Sequence, residues 1–145
     1  MRIAYCFFLV GVMAGLVGMG LGIWMGVNND YTLAPVHVHI NLVGWASMFL
    51  YGLYYRTDQM AIGRLAVAQF FVATAGLVLL TGALGPVVLG DERFVPVAAT
   101  GAFLTIGAMA IFLVVVGRGA FRAHRAHRAH QRLQSQSRAG FVTVS

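Results

Sequence analysis

Four long apolar runs without acidic or basic residues dominate this chain, apart from two histidines in one of them. They cover roughly residues 3–27, 35–55, 65–84 and 95–116, and the exceptions are His37 and His39. A helix needs about 20 mostly apolar residues to cross a hydrocarbon core of about 30 Å. Each run is continuously apolar rather than alternating, so helices are expected and barrel strands are not. The expected fold is therefore all-α, an integral membrane four-helix bundle. Composition points the same way: 59% of the 145 residues are apolar and 10% are charged, against about 25% charged in an ordinary soluble protein. That balance excludes a soluble globular domain and a disordered chain. A lone cysteine, Cys6, excludes an internal disulfide framework.

Polar punctuation separates the runs. Asn28-Asn29-Asp30 closes the first, and Arg56-Thr57-Asp58-Gln59 closes the second. Gly85-Pro86 and the cluster Gly90-Asp91-Glu92-Arg93 are expected to divide the third from the fourth. Pro35 suits the first turn of the second helix, where its missing N–H costs nothing. The ten basic residues are all arginines. With the N-terminus inside, Arg2, Arg56, Arg64 and the six arginines after residue 117 are cytoplasmic and only Arg93 faces out, so an N-in/C-in topology is expected. The first run has one preceding basic residue, exceeds the length of a signal h-region and lacks a good cleavage site, so it is read as a retained helix. The division expected is a four-helix membrane domain, residues 1–117, and a basic cytoplasmic tail, residues 118–145.

In that tail Arg118, Arg122, Arg125, Arg128 and Arg132 recur at steps of 4, 3, 3 and 4, one face of a helix. Anchoring against anionic head groups accounts for them at about 1 kcal/mol per residue. The interleaved His124, His127 and His130 lack an acidic or cysteine partner for a metal site, and no folded module suggests nucleic-acid binding.

The chemistry concentrates in His37-Val38-His39-Ile40-Asn41, at the start of the second run and the outer end under this topology. Ionisable residues at membrane depth are costly and usually functional. Residues two apart on a helix point about 200° from each other, so one metal cannot readily take both histidines unless the helix is distorted. His37, Asn41, Gly44, Met48, Tyr51 and Tyr55 form one stripe, polar, small and aromatic, which reads as protein-facing. His39, Leu42, Val43, Ala46, Leu50 and Leu53 form a more apolar one, free to meet lipid, a neighbouring helix or a porphyrin face. Periodicity does not decide between the two imidazoles as a ligand. On the first helix, Gly11, Gly15, Gly18 and Gly22 share a face. Close helix packing is the simpler use for them, and a porphyrin seated on glycine backbone is the alternative. Met25 is the thioether level with the histidines.

The segment His39-Ile40-Asn41-Leu42, inside a run ending Tyr51-Gly52-Leu53-Tyr54-Tyr55-Arg56, resembles the second helix of heme-copper oxidase subunit I. The likeness is greatest to the nitric oxide reductase branch and to small four-helix relatives of that subunit. The resemblance covers roughly the first two helices. It implies that a His-x-Asn near the outer end supplies an axial ligand to a low-spin heme, and the motif falls on His39. No histidine occurs between residues 40 and 123, so a complete oxygen- or nitric-oxide-reducing centre cannot be assembled in one copy.

The function expected is therefore that of a b-type heme-binding membrane protein in electron transfer or gas sensing, not an enzyme as an isolated chain. His39 is the first-choice iron ligand, with His37 second or supporting. Asn41 would orient an imidazole or a propionate, Trp45 would pack on the ring, and Arg93 would pair with a propionate. The second axial ligand would come from another copy across a two-fold axis, favouring a homodimer, or from Met25. The implied setting is a bacterial inner membrane, with a protein or a quinone as redox partner. Two other classes fit the same residues. One is a copper-binding or metal-delivery protein using His37 and His39 with methionines. The other is a cofactor-free accessory subunit of a respiratory complex.

Overall fold

A computed structural model of the protein describes the backbone of residues 2–142 and the side chains of residues 3–128 and 131. It is all-helical, with no strand among the described residues. Helix α1 is Arg2–Asn28. The second rod is continuous but not uniform: α2 (Ala34–His39), a π-helical segment (Ile40–Ser47) and α3 (Met48–Thr57) follow one another. Helix α4 is Arg64–Val88 and α5 is Val95–Val142. Three of these stretches, Ile3–Asn28, Arg64–Val88 and Glu92–Arg128, are long and apolar enough to cross a membrane. Along the middle of each the outward side chains are apolar; Leu9, Ile23, Phe103 and Leu113 are each about two-thirds exposed or more. Water would not tolerate such a girdle, whereas hydrocarbon would.

Two helix ends differ from the sequence expectation. Gly85-Pro86 does not end the third helix. Pro86 has no N–H to give the Gly82 carbonyl, yet α4 continues past it to Val88. Nor does the helix break at Gly117, where the composition changes. Helix α5 continues through the Arg/Ala/His repeat because alanine, arginine and glutamine are good helix formers whatever their hydropathy. The side chains of His130 and Arg132 lie outside the described residues.

The turns after α1 and after α4 are built alike. Helix α1 ends with Asn29 in the left-handed region (φ 51°), and the Asp30 N–H reaches back to the Met25 carbonyl at 3.1 Å. Helix α4 ends with Gly90 at φ 96°, and the Asp91 N–H reaches back to the Pro86 carbonyl at 3.0 Å. Each is a left-handed helix stop of the kind asparagine and glycine permit. Each aspartate then accepts the backbone N–H two residues on, from Thr32 or Arg93. Hydrogen bonds from Thr32 hold the Asp30 carboxyl below its ordinary range, and those from Arg93 do the same for Asp91. A proline follows five residues after each aspartate, Pro35 and Pro96. The chain is thus two helical hairpins with the same turn.

The core sits at the opposite end, where α1 starts and α3 finishes. Phe7 and Tyr55 are fully buried and stack at 5.6 Å, with Phe70 edge-on to Phe7 at 5.1 Å. The Tyr55 hydroxyl donates to Gln69 Oε1, while the Gln69 amide nitrogen is buried without a partner. Removing the hydroxyl orphans the whole Gln69 side chain. Tyr55→Phe is therefore expected to cost about 1–3 kcal/mol, seen as an earlier unfolding midpoint in mixed micelles. An unchanged midpoint would show that the bond contributes nothing.

Candidate cofactor-binding face

The glycine face of α1 receives the second rod residue by residue. A Cβ added at Gly22 would lie 2.8 Å from His37 Cε1, one at Gly18 would lie 2.6 Å from Asn41 Nδ2, and one at Gly15 would lie 2.9 Å from Trp45 Cδ1. Each glycine is therefore a seat for one larger side chain. The seam is closed by protein, so the glycine stripe serves helix packing and leaves no gap there for a porphyrin. Gly44 completes the junction, since its own Cβ would meet Ala14 and Leu77.

His37 is half-buried in this seam. Its Nδ1 lies 2.8 Å from the Gly18 carbonyl. A carbonyl only accepts, so Nδ1 carries the proton and donates. Asn41 donates its amide to the His37 carbonyl at 2.8 Å. Asn41 thus serves the turn where α-helix gives way to π-helix, and His37 crosslinks two helices.

His39 has a different environment. Its Nδ1–H donates to the Pro35 carbonyl one turn back, at 2.7 Å. That bond fixes the ring and leaves the Nε2 lone pair unused, the arrangement by which a second partner prepares an imidazole for a metal. His39 is partly exposed, and Val38 (46% exposed) and Leu42 (60%) are open beside it. The stripe expected through His37 is present, and the one through His39 only in part, because Val43 packs partly buried against the core. Gly44, Met48, Tyr51 and Tyr55 are buried, while Leu42, Leu50 and Leu53 are open.

The π-helical segment begins directly after His39. Its wider turns carry i→i+5 bonds, and the Ser47 hydroxyl follows that spacing by donating to the Leu42 carbonyl at 2.8 Å. Such segments are rare and recur at functional sites. The extra residue per turn brings Trp45 onto Gly15 while Gly44 stays at the junction with α4.

The other candidates lie elsewhere. Met25 is buried, 4% exposed, on α1. Arg93 already holds a carboxylate of its own chain: its Nε and Nη2 donate to the two oxygens of Asp91, both at 2.9 Å. Trp45 is half-exposed, with one edge over Gly15. His37 and His39 are anchored on different carbonyls, and no group of three or more metal-ligating residues occurs among the described residues.

Aligning the two hairpins on Pro35 and Pro96 sets Ala98 and Thr100 at the places of His37 and His39. One chain accordingly offers one such imidazole pair. Neither the π segment nor this repeated turn is announced by hydrophobic period; the turn could have been found from the paired Asp-to-Pro spacing. Compared with known proteins, the chain matches no family model, no curated protein and no solved structure.

Proposed function

We propose that this chain is a four-span integral membrane protein, N-in and C-in, which binds b-type heme through His39 and acts in electron transfer or gas sensing. One observation carries the reading: the His39 ring is fixed by the Pro35 carbonyl with Nε2 free, on a partly exposed face flanked by Val38 and Leu42. An imidazole so held, with an apolar surface around it, fits the axial position of a porphyrin iron. A heme bound there would supply one-electron redox chemistry near the outer membrane surface.

The rest of the reading follows from what the chain provides and lacks. His37 and Asn41 support the helix rather than the iron, because the seam with α1 already occupies them. Met25 is buried within the chain, so a second axial ligand is best supplied by His39 of a second copy across a two-fold axis. The arginine distribution supports cytoplasmic termini, and the bacterial inner membrane is what the resemblance to heme-copper oxidase subunit I implies. With a single imidazole pair, the isolated chain carries electrons or senses a ligand and is not itself an oxidase; a protein or quinone would be its redox partner.

The stoichiometry tests the shared arrangement. The purified, detergent-solubilised full chain should carry one heme per two chains by pyridine hemochromogen assay, with low-spin bis-imidazole signals in electron paramagnetic resonance. One heme per monodisperse single chain, or a high-spin five-coordinate spectrum, would overturn the dimer.

A further inference from the structure

The end of the molecule remote from His37 and His39 holds a cavity of about 300 Å³ between the α3–α4 turn, the start of α4 and α5. Its floor includes Ile62, Leu65 and Val115, and its rim carries Arg64, Arg118 and Arg122. We propose that this cavity is a binding site for the phosphate of an anionic phospholipid. The proposal rests on the chain lying in a bilayer and not on heme.

The placement of charge supports it. Val115 is buried and Arg118 is exposed one turn further on, so α5 passes from apolar to charged at the level of this cavity. Asp58 fixes the Arg122 guanidinium at 2.9 Å, and the Tyr54 hydroxyl donates to the same carboxylate oxygen at 3.4 Å. Arg64 and Arg118 form no ion pair among the described residues. They leave an excess of positive charge at the rim. The first N–H groups of α4 start at the same rim without a side-chain cap or an acidic residue in the first turn. An apolar floor with a guanidinium rim suits a ligand that is apolar at one end and carries a phosphodiester at the other. Basic pockets between spans on the cytoplasmic side hold such head groups. This is a specific site, distinct from diffuse attraction by the arginines further along α5.

The test is native mass spectrometry of the full chain in detergent, with phosphatidylglycerol or phosphatidylcholine added. The wild-type chain should retain phosphatidylglycerol in preference. Arg64→Gln with Arg118→Gln should lower that preference roughly tenfold or more, from about 1 kcal/mol per arginine. Arg125→Gln with Arg128→Gln removes the same charge from α5 beyond the cavity, where a detergent micelle offers no anionic surface to attract it, and should change it less than about twofold. Arg64→Lys with Arg118→Lys should keep most of it, with unchanged helical circular dichroism in every variant. Equal losses from the two glutamine pairs, or no lipid preference at all, would overturn the site. Displacement of the lipid by excess inorganic phosphate would also overturn it, by marking a site for the free anion.

Discussion

Replacing His39 by alanine is expected to remove heme from the purified protein while leaving its helices intact. The side chain is partly exposed and makes its one bond to a carbonyl of its own helix, so its loss opens no core. An iron held as proposed would, however, lose its ligand. Disturbing only the outer partner of a metal-bound histidine commonly costs 10–100-fold in affinity, so loss of the ligand itself should cost roughly 100-fold or more. His37 cannot take over, because its ring is bonded to Gly18 and wedged over Gly22. His37→Ala should therefore do the reverse. It should lower stability by loosening the α1 seam and still yield protein with heme. Pyridine hemochromogen assay and an unfolding titration on both variants separate the two roles. Heme lost from His37→Ala and kept in His39→Ala would invert the assignment.

The second large effect concerns the contact between α4 and α5. A Cβ at Gly101 would meet Leu80 Cα at 2.7 Å and the Leu79 carbonyl carbon at 2.9 Å. These are backbone atoms with no rotamer to relieve the clash, so the helices must part. Gly76, which faces the Thr105 hydroxyl and the Gly101 carbonyl from the other side, would lose its contacts in the same movement. Association of helices in lipid depends on close packing at small residues. Gly101→Ala should therefore cost about 2–3 kcal/mol, the upper part of the range for overpacking. Gly107 and Gly82 lie in α5 and α4 with nothing within 4 Å. Alanine there should be neutral or stabilising, by up to about 1 kcal/mol. Unfolding midpoints in dodecyl sulfate mixed micelles compare the three directly. A Gly101→Ala protein as robust as Gly107→Ala would show that the close α4–α5 contact does not form.

The rods were legible because long uncharged apolar runs have one good solution in each case. Their ends were less so. Asn29 and Asp58 lie in the polar punctuation and do end helices, since one adopts a left-handed turn and the other caps the next turn through Met60 N–H. Gly85-Pro86 is not a stop: one missing N–H does not end α4, and the true stop is the left-handed Gly90. The change at residue 117 is one of hydropathy alone, to which the helix is indifferent. At the site, the stripe through His37 and Asn41 was visible, and so was the use of the α1 glycines for packing. The difference between the two imidazoles was not. It depends on the Gly18 carbonyl, supplied by another helix, and on the Pro35 carbonyl, supplied by the backbone. The π segment leaves no trace in a hydrophobic pattern, because both helix types bury one stripe. Most intramembrane hydroxyls return to a carbonyl one turn back, as Thr81 and Thr105 do. The Thr74 hydroxyl oxygen is buried with no partner, and no feature of the sequence around it indicates why.

The most direct measurement is an absorption spectrum of the intact full chain, purified in detergent from cells well supplied with heme. The account predicts a Soret band and, on reduction, resolved α and β bands of a b-type cytochrome. A colourless protein that is still helical and monodisperse would contradict it.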